Sequence, residues 1–488
     1  MFRALRSLLS GPAQEPAPRR HARPATRRLV RGRYDAAQHS DNSRKHWAMA
    51  DGLSARAANS AEVRRVLRNR SRYEVANNSY AKGIVLTLAN DVIGTGPRLQ
   101  MLGLSAVDNR RIEREFATWA QAIGLADKLR TLRIARAQDG ESFAILTDNP
   151  ALQSRVTLDL RLVEAEQVTT PDLAIVREAR GVDGLRFDRW GNVVEYHVLR
   201  EHPGGRLLRV GGGYDRLPAA AMIHDFRSER PGQARGIPEI TPALPLFAML
   251  RDYSLATLDA AKAAAYFAGI LYTDAPANGE AEDVEPMDAI ELERNMLMTM
   301  PGGWKLGQVR SEHPTATYAE FKHEILNEIA RCLNMPFNIA AGNSSGYNYA
   351  SGRLDHQTYF KAIRVDQAHI EQVILDRIFA AWVREAVLIE GYLPQRLRLT
   401  TTDWSHQWFW DGNEHVDPAK EANAQATRLA NHTTTLADEY AKRGQDWETQ
   451  LRQIAKERAL MDELGLSPDD VQPAEPETAD EEEPAHAR

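Results

Sequence analysis

Apolar positions in the first quarter of the chain recur at helical spacing. A polar, alanine-rich stretch from about Tyr34 to Ser71 contains one helical segment near Ser60–Arg70. A second segment, Val75–Asp91, sets Ile84, Leu86 and Leu88 among small residues and ends before Gly94. A third, Arg111–Ile123, carries Phe116 and Trp119 three apart on one helical face. The period then shortens. Ser142–Leu146, Arg155–Leu162, Leu185–Phe187 and Val193–Leu199 are β-type runs separated by Gly, Asp and Pro. Asp183-Gly184 and Trp190-Gly191 read as turns between them. This half is α+β, with helices first and a sheet after.

Beyond Pro238 the pattern is mainly helical. Pro242 and Pro245 suit a first helical turn, and Leu246–Ala268 runs on without Gly or Pro until Gly269. Short β-like pieces, Ile270–Thr273 and Trp304–Val309, flank an acidic stretch at Glu280–Glu285. Thr317 and Glu320 fit a capping box, after which Phe321, Ile325, Ile329 and Leu333 repeat every four residues along one face. Asn334 and Pro336 close that helix, and a polar loop spans Ala341–Gly352. Arg353–Glu390 contains no Gly or Pro, enough for a helix about 55 Å long. Arg396–Thr402 reads as a strand. Asp417-Pro418 restarts helix, and Gly444 and Asp446 separate two more, the last with Trp447, Leu451, Ile454 and Met461 at heptad-like spacing.

Composition adds little to the fold and much to the ends. The 488 residues, 43% hydrophobic and 26% charged, suit a multi-domain globular chain. Net charge is −6, but residues 1–33 hold nine arginines against Glu15 alone, while residues 462–488 hold ten acids against Arg488. Both ends have too few large apolar residues to offset the entropy of ordering, which predicts flexible tails. Arg19, Arg20, Arg23, Arg27 and Arg28 are candidates for contact with nucleic acid, the alternative from composition alone being a solvated arm. No stretch approaches the ~18 apolar residues of a membrane span, and Arg3 and Arg6 break up any secretory signal, so no membrane partner is expected. The single cysteine, Cys332, makes no intrachain disulfide.

Candidate chemistry is sparse. Gly342-Asn343-Ser344-Ser345-Gly346 matches the G-x-S-x-G pattern of a hydrolase nucleophile at Ser344, a lookalike in a chain that is expected to have no catalytic residue and not to be an enzyme. That chemistry requires a strand, here Phe337–Ala340, leading into a strained turn and an apolar helix. The polar surroundings favour a loop between helices instead. Asp403, His406, Asp411, His415 and Asp417 are interleaved with Trp404, Trp408, Phe409 and Trp410, a pattern better suited to an aromatic-anchored loop than to a metal site. Gly94-Thr95-Gly96 lacks the third glycine of a dinucleotide site, and there is no P-loop, so neither a cofactor nor ATP hydrolysis is expected.

Several segments together resemble one family. His224-Asp225-Phe226 followed by Arg230-Pro231-Gly232-Gln233-Ala234-Arg235-Gly236-Ile237-Pro238 is similar to the RPxQxRGxP stretch of lambda-type tailed-phage portal proteins. Ile329–Pro336 resembles their IAxxLxxP helix end, and Asn348–Arg353 their NYSSxR signature, departing at Ala350 and Gly352. Trp408–Glu421 resembles their tryptophan-rich loop and DPxKE helix start, and Gly444–Trp447 continues the match. The likeness runs over about residues 34–465.

The resemblance implies a mainly helical α+β subunit of a homo-oligomeric, dodecameric ring at the capsid portal vertex of a virion, assembled in the host cytoplasm. Residues 1–33 would be the basic arm, 34–238 and 395–416 an α/β wing, and 239–269 and 316–336 the stem helices. Residues 270–315 would form a small β-containing clip, 337–352 the tunnel loop, 353–394 a long kinked tunnel helix, 417–465 a helical crown and 466–488 the acidic tail. Implied partners are double-stranded DNA in the channel, the terminase motor, capsid and scaffold proteins, and head–tail connector proteins. Asn343, Ser344, Ser345, Tyr347, Asn348 and Tyr349 would line the narrowest point. The alternatives are a serine hydrolase using Ser344 and a DNA-binding assembly factor without ring geometry.

Overall fold

The computed structural model describes residues 45–170, 181–205, 213–265, 269–273, 304–308, 318–346, 349–394, 404–412, 418–441 and 443–466. The chain divides into two units, Met1–Ser54 and Ala55–Arg488. Of the first, residues 45–54 are described, all exposed, with the rings of His46 and Trp47 edge to face. The expected strand at Arg396–Thr402, the acidic stretch at Glu280–Glu285, and the caps at Thr317 and Asp417 lie outside the described residues.

The second unit opens with two helices, α1 (Ala61–Asn77) and α2 (Ser79–Ile93). They break at Asn78, not in the region of Ser71–Val75 as the sequence pattern suggests. Asn78 leaves the helical region (φ −120, ψ 118), and its side-chain oxygen accepts from the Tyr80 and Ala81 amides, capping α2 while ending α1. Strand β1 (Arg98–Met101) follows, then α3 (Ala106–Ala122), capped by Ser105. Phe116 and Trp119 point inward from α3 as expected, and both are buried.

Helix α4 (Leu125–Asp139) has no counterpart in the sequence reading. Its buried positions include Arg133 and Arg136 beside Leu129 and Leu132, so its inner face does not read as apolar.

Strands β2 (Glu141–Asp148), β3 (Leu158–Val163) and β8 (Met222–Phe226) form an antiparallel sheet ordered β3-β2-β8. A second antiparallel sheet joins β4 (Gly181–Val182), β5 (Leu185–Phe187), β6 (Val193–Leu199) and β7 (Tyr214–Pro218). Its turns fall where expected, with positive φ at Asp183, Gly184 and Gly191. This sheet shares a small apolar cluster with the first through Phe143, Ile145, Tyr196, Val198 and Met222.

Pro242 sits in a single 3-10 turn, and Pro245 in the first turn of α5 (Leu244–Ala265). β9 (Gly269–Thr273) and β10 (Trp304–Gln308) pair antiparallel, as their β-type composition suggests. Helix α6 (Tyr318–Arg331) returns and buries Leu326, Ile329 and Ala330. Phe321 departs from the expected stripe: it is 48% exposed, because the core-facing row runs 326, 329, 330 and 333.

A short α7 (Phe337–Ala341) precedes α8 (Tyr349–Ile370). The long helix therefore already includes Tyr349–Gly352, ahead of the Arg353 start read from the sequence. It passes through a π turn, Glu371–Leu375, into α9 (Asp376–Ala386). A π turn inserts an extra residue and rotates the face that follows.

β11 (His406–Phe409) pairs antiparallel with β1. The remaining helices are α10 (Pro418–Ala430), α11 (Leu436–Ala441) and α12 (Trp447–Leu464). Asp446 caps α12 through the Thr449 amide, and Gly465 ends it at φ 69.

The main core runs through α2 to α9, and its aromatic part lies where α3, α9 and β11 meet. Phe116 contacts Phe379, Trp382 and Trp408 at ring separations of 5.7, 5.4 and 5.6 Å. Trp119 donates its indole N–H to the Leu158 carbonyl at 2.9 Å, tying that core to the first sheet. Among the described residues no helix is long and apolar enough to cross a membrane.

Candidate functional site

The polar loop rises from the C-terminal end of α7. Gly342 ends that helix in a left-handed conformation (φ 62), and the Asn343 amide donates back to the Asn338 carbonyl at 3.0 Å. The Asn343 side-chain oxygen then accepts from the Ser345 amide at 2.9 Å and the Ser345 hydroxyl at 2.7 Å, a self-contained Asx turn. Asn343, Ser344 and Ser345 are all exposed. Tyr347 and Asn348 lie outside the described residues, as do Arg19, Arg20, Arg23, Arg27 and Arg28, and Tyr349 starts α8.

The geometry around Ser344 differs from that of a hydrolase nucleophile turn. Phe337–Ala341 is helix and not strand, so the strand-to-turn strain that would present a nucleophile is missing. Among the described residues no histidine or acid hydrogen-bonds Ser344.

The loop stands on a helix that is tied down along its length. Asn338 on α7 meets His356 at 2.9 Å, the Tyr359 hydroxyl donates to Asp91 at 2.7 Å, and Gln367 donates to the Val92 carbonyl at 3.0 Å. Burial pushes both the Asp91 carboxyl and the Tyr359 phenol up.

Further along α8 the ties become ionic. Arg133 and Arg136 of α4 lie one helical turn apart, as do Asp366 and His369 of α8. Arg133 contacts Asp366 at 2.8 Å and Glu239 at 2.9 Å. Arg136 contacts Asp366 at 2.7 Å, Glu239 at 3.1 Å and Asp225 at 3.3 Å. His369 reaches Asp225 at 2.9 Å. Burial raises the Asp225 carboxyl's proton affinity, but Arg136 and His369 outweigh it and hold the group below its usual range. Four elements (α4, β8, the lead-in to α5, and α8) therefore meet at one buried charge cluster, immediately before the π turn. A cleft of about 820 Å³ opens beside it, lined by Arg227, Glu239, Asn334, Lys361 and His369 among others.

A second buried cluster explains the RPxQxRGxP-like stretch. Arg235 is 1% exposed. Its guanidinium grips Glu141 with two bonds of 2.8 and 2.7 Å and donates to the carbonyls of Val168 and Ala165 at 2.9 and 3.2 Å. The planar fork of arginine suits such a bidentate site where a lysine would not. Gln233 holds the turn by accepting from the Glu229 amide and donating to the Arg235 carbonyl. Gly236 crosses directly over Gly140, leaving no room for a Cβ on either.

His224 completes this cluster. It lies between the rings of Phe143 and Phe226 at 4.3 and 4.6 Å and meets Glu141 at 3.1 Å. Burial pushes the Glu141 carboxyl up, yet Arg235 and His224 hold it well below the carboxylate range. Burial pushes His224 down more than Glu141 lifts it.

The aromatic-anchored loop is built as the sequence suggests, with part of it drawn into β11. His406 meets the Trp404 carbonyl at 2.8 Å and Asp376 at 3.2 Å, while Asp411 accepts from the Thr95 hydroxyl at 2.7 Å and bonds Arg98 at 3.2 Å. These residues do not converge on a common point, and Asp403, His415 and Asp417 lie outside the described residues. Among the described residues, Glu164, Glu166 and His202 are close enough to share a cation. Arg72 already pairs with Glu164 at 3.3 Å and Glu166 at 3.0 Å, and Arg68 with Glu166 at 3.3 Å, which opposes binding of a second positive charge.

The family described as phage portal protein, lambda family, matches residues 41–367. A probable portal protein of Halomonas phage phiHAP-1 is 26% identical over 458 residues, covering 86% of each chain. Portal protein B of Escherichia phage lambda is 21% identical over 451 residues, covering 81% of this chain and 83% of its own. Among solved structures, a chain from the neck of a native gene transfer agent particle computed with C12 symmetry covers 79% of this chain and 94% of its own, with 14% identity and a TM-score of 0.44.

Proposed function

The chain belongs to the lambda family of phage portal proteins, and from that premise we propose that about twelve copies ring one vertex of the capsid and pass DNA through their centre. The family match over residues 41–367, with relatives that align along most of their own length, carries this reading. The chain is a structural portal subunit of the virion. Packaging, ejection and head–tail joining follow from that family role, with a terminase motor, scaffold and capsid proteins, and connector proteins as successive partners.

Within the ring, residues 34–238 and 395–416 act as the wing, 239–269 and 316–336 as the stem, 270–315 as the clip and 417–465 as the crown. The exposed, neutral Asn343, Ser344 and Ser345, together with Tyr347, Asn348 and Tyr349, line the tunnel. Neutral hydrogen-bonding groups contact DNA briefly, whereas a row of cations would hold each phosphate and release counterions at every step. A net charge of −6 per subunit works in the same direction. The buried charge cluster of Arg133, Arg136 and Asp225 with Asp366 and His369 holds the C-terminal end of α8 to the wing. Arg19, Arg20, Arg23, Arg27 and Arg28 extend a separate basic arm toward DNA or the acidic surfaces of capsid and scaffold proteins.

Deletion of Gly342–Gly346 tests the tunnel assignment. The expected result is assembled rings with impaired packaging or DNA retention, and unchanged packaging and retention would overturn it. Truncation of residues 1–33 with no loss of assembly or DNA content would remove the role given to the arm.

A further inference from the structure

Helix α6 carries an outer acidic face that is not neutralised among the described residues. Leu326, Ile329 and Ala330 point into the core. On the other side Glu320, Glu324 and Glu328 follow one another at four-residue intervals, all exposed, within an arc of about 80°. Like charges so spaced disfavour the helix that bears them. Among the described residues His323 approaches Glu324 at 3.2 Å, and no ion pair reaches Glu320 or Glu328. Phe321, half-exposed, adds an apolar patch beside the row.

Helix α8 presents the opposite face. Its buried row is Tyr359, Ile363 and Ile370. Lys361 and Arg364 stand exposed on the outer side, with no ion-pair partner among the described residues. Leu354 and Val365 flank them at 66% and 67% exposure. Lys361 and Arg364 are separated by about 4.5 Å along the helix axis, and Glu324 and Glu328 by about 6 Å, a mismatch that long side chains absorb.

We propose that these faces are two halves of one contact, with the Glu324–Glu328 face of α6 in one copy seated against the Lys361–Arg364 face of α8 in the next copy. The inference rests on the ring reading and assigns its interface. Contact between two unlike faces of one chain is head-to-tail, the kind that generates a ring when the rotation closes. Phe321 on one side and Leu354 and Val365 on the other supply the apolar area, and the charges set the register and exclude the wrong pairing.

Charge exchange tests this directly. Two double variants are made in the full chain, Glu324→Lys with Glu328→Lys, and Lys361→Glu with Arg364→Glu. Each places like charges across every junction, and each is expected to lower the ring fraction by roughly tenfold at low ionic strength, read by mass photometry. Mixed in equal amounts, the two variants become complementary and should re-form rings of alternating subunits, which also shows that both are folded. The variant with all four exchanges should form rings alone. Either double variant ringing like the wild type would overturn the proposal and leave the glutamates free to face the channel. So would a mixture and a four-exchange variant that both stay disassembled. A wild type that forms no ring even at high concentration and with its scaffold protein overturns the ring reading itself, whereas a ring-forming wild type with insensitive variants overturns the interface alone.

Discussion

Gly236 lies directly across from Gly140: a Cβ on Gly236 would overlap the Gly140 carbonyl oxygen, and a Cβ on Gly140 would overlap the backbone of Ile237. Gly140 also ends α4 at φ 93, a conformation that strains any L side chain. The crossing brings the end of α4 against the strand of chain that carries Arg235, so both buried charge clusters depend on it.

Substitution at this crossing should therefore be costly. Gly236→Ala is expected to destabilise the subunit by about 2–4 kcal/mol, the upper range for overpacking, because the obstacle is backbone and cannot rotate away. Gly232→Ala, at positive φ but with open space around it, should cost less. Urea unfolding of the three proteins provides the comparison, and equal midpoints for Gly236→Ala and wild type would contradict the crossing.

Arg235 and Glu141 should behave as a unit. Arg235→Ala strips Glu141 of its bidentate partner, leaving it buried with Arg68 and His224, and is expected to cost about 3–5 kcal/mol. Arg235→Met combined with Glu141→Gln removes both charges and should recover part of that loss. A double-mutant cycle that returned simple additivity would refute the pairing.

Stability should fall on acidification in two stages. The native His224 is pushed below its ordinary 6.5 by burial, so the unfolded chain binds a proton first. Its contribution is complete above pH 6.5 and decays as pH falls below that value. Glu141 is held well below 4.5 despite its burial, by Arg235 and His224, so its contribution is complete above pH 4.5 and is lost below it. Unfolding midpoints measured from pH 7.5 to 4 should drop in the wild type, and the part below pH 6.5 should flatten in His224→Phe. A profile unaffected by that substitution would remove His224 as its source.

Ser344→Ala should leave particle yield and DNA retention within about twofold of wild type, since an exposed hydroxyl on a surface loop contributes little to stability. Plaque titre and packaged DNA per particle measure this. Loss of function as large as that from deleting the whole loop would reopen a chemical role for the serine.

Much of this was legible in the sequence because pattern and structure obey the same local rules. Leu185–Phe187 and Val193–Leu199 form strands at the residues their composition marks, and the turns between them fall on glycine and aspartate with positive φ. The last helix stops at Gly465 for the same reason. Helix α4 escaped because arginines occupy its inner positions, and a buried guanidinium looks like surface until its carboxylates are known. Those partners are distant in sequence: Arg235 and Glu141 are 94 residues apart, Arg133 and Asp366 233 apart. Pairing of β1 with β11 joins segments some 300 residues apart, each too short to announce itself. The motif around Arg235 could be seen as a pattern, but its purpose, a cradle for one buried carboxylate, could not. The matched i,i+3 spacing of Arg133/Arg136 and Asp366/His369 was the available clue.

The most direct test of the ring is negative-stain electron microscopy of the purified full-length chain together with its mass in solution. The predicted result is rings with a central hole and a mass near about twelve copies of the 54.6 kDa chain. A monodisperse monomer or dimer that persists at high concentration and in the presence of its scaffold protein would contradict the account.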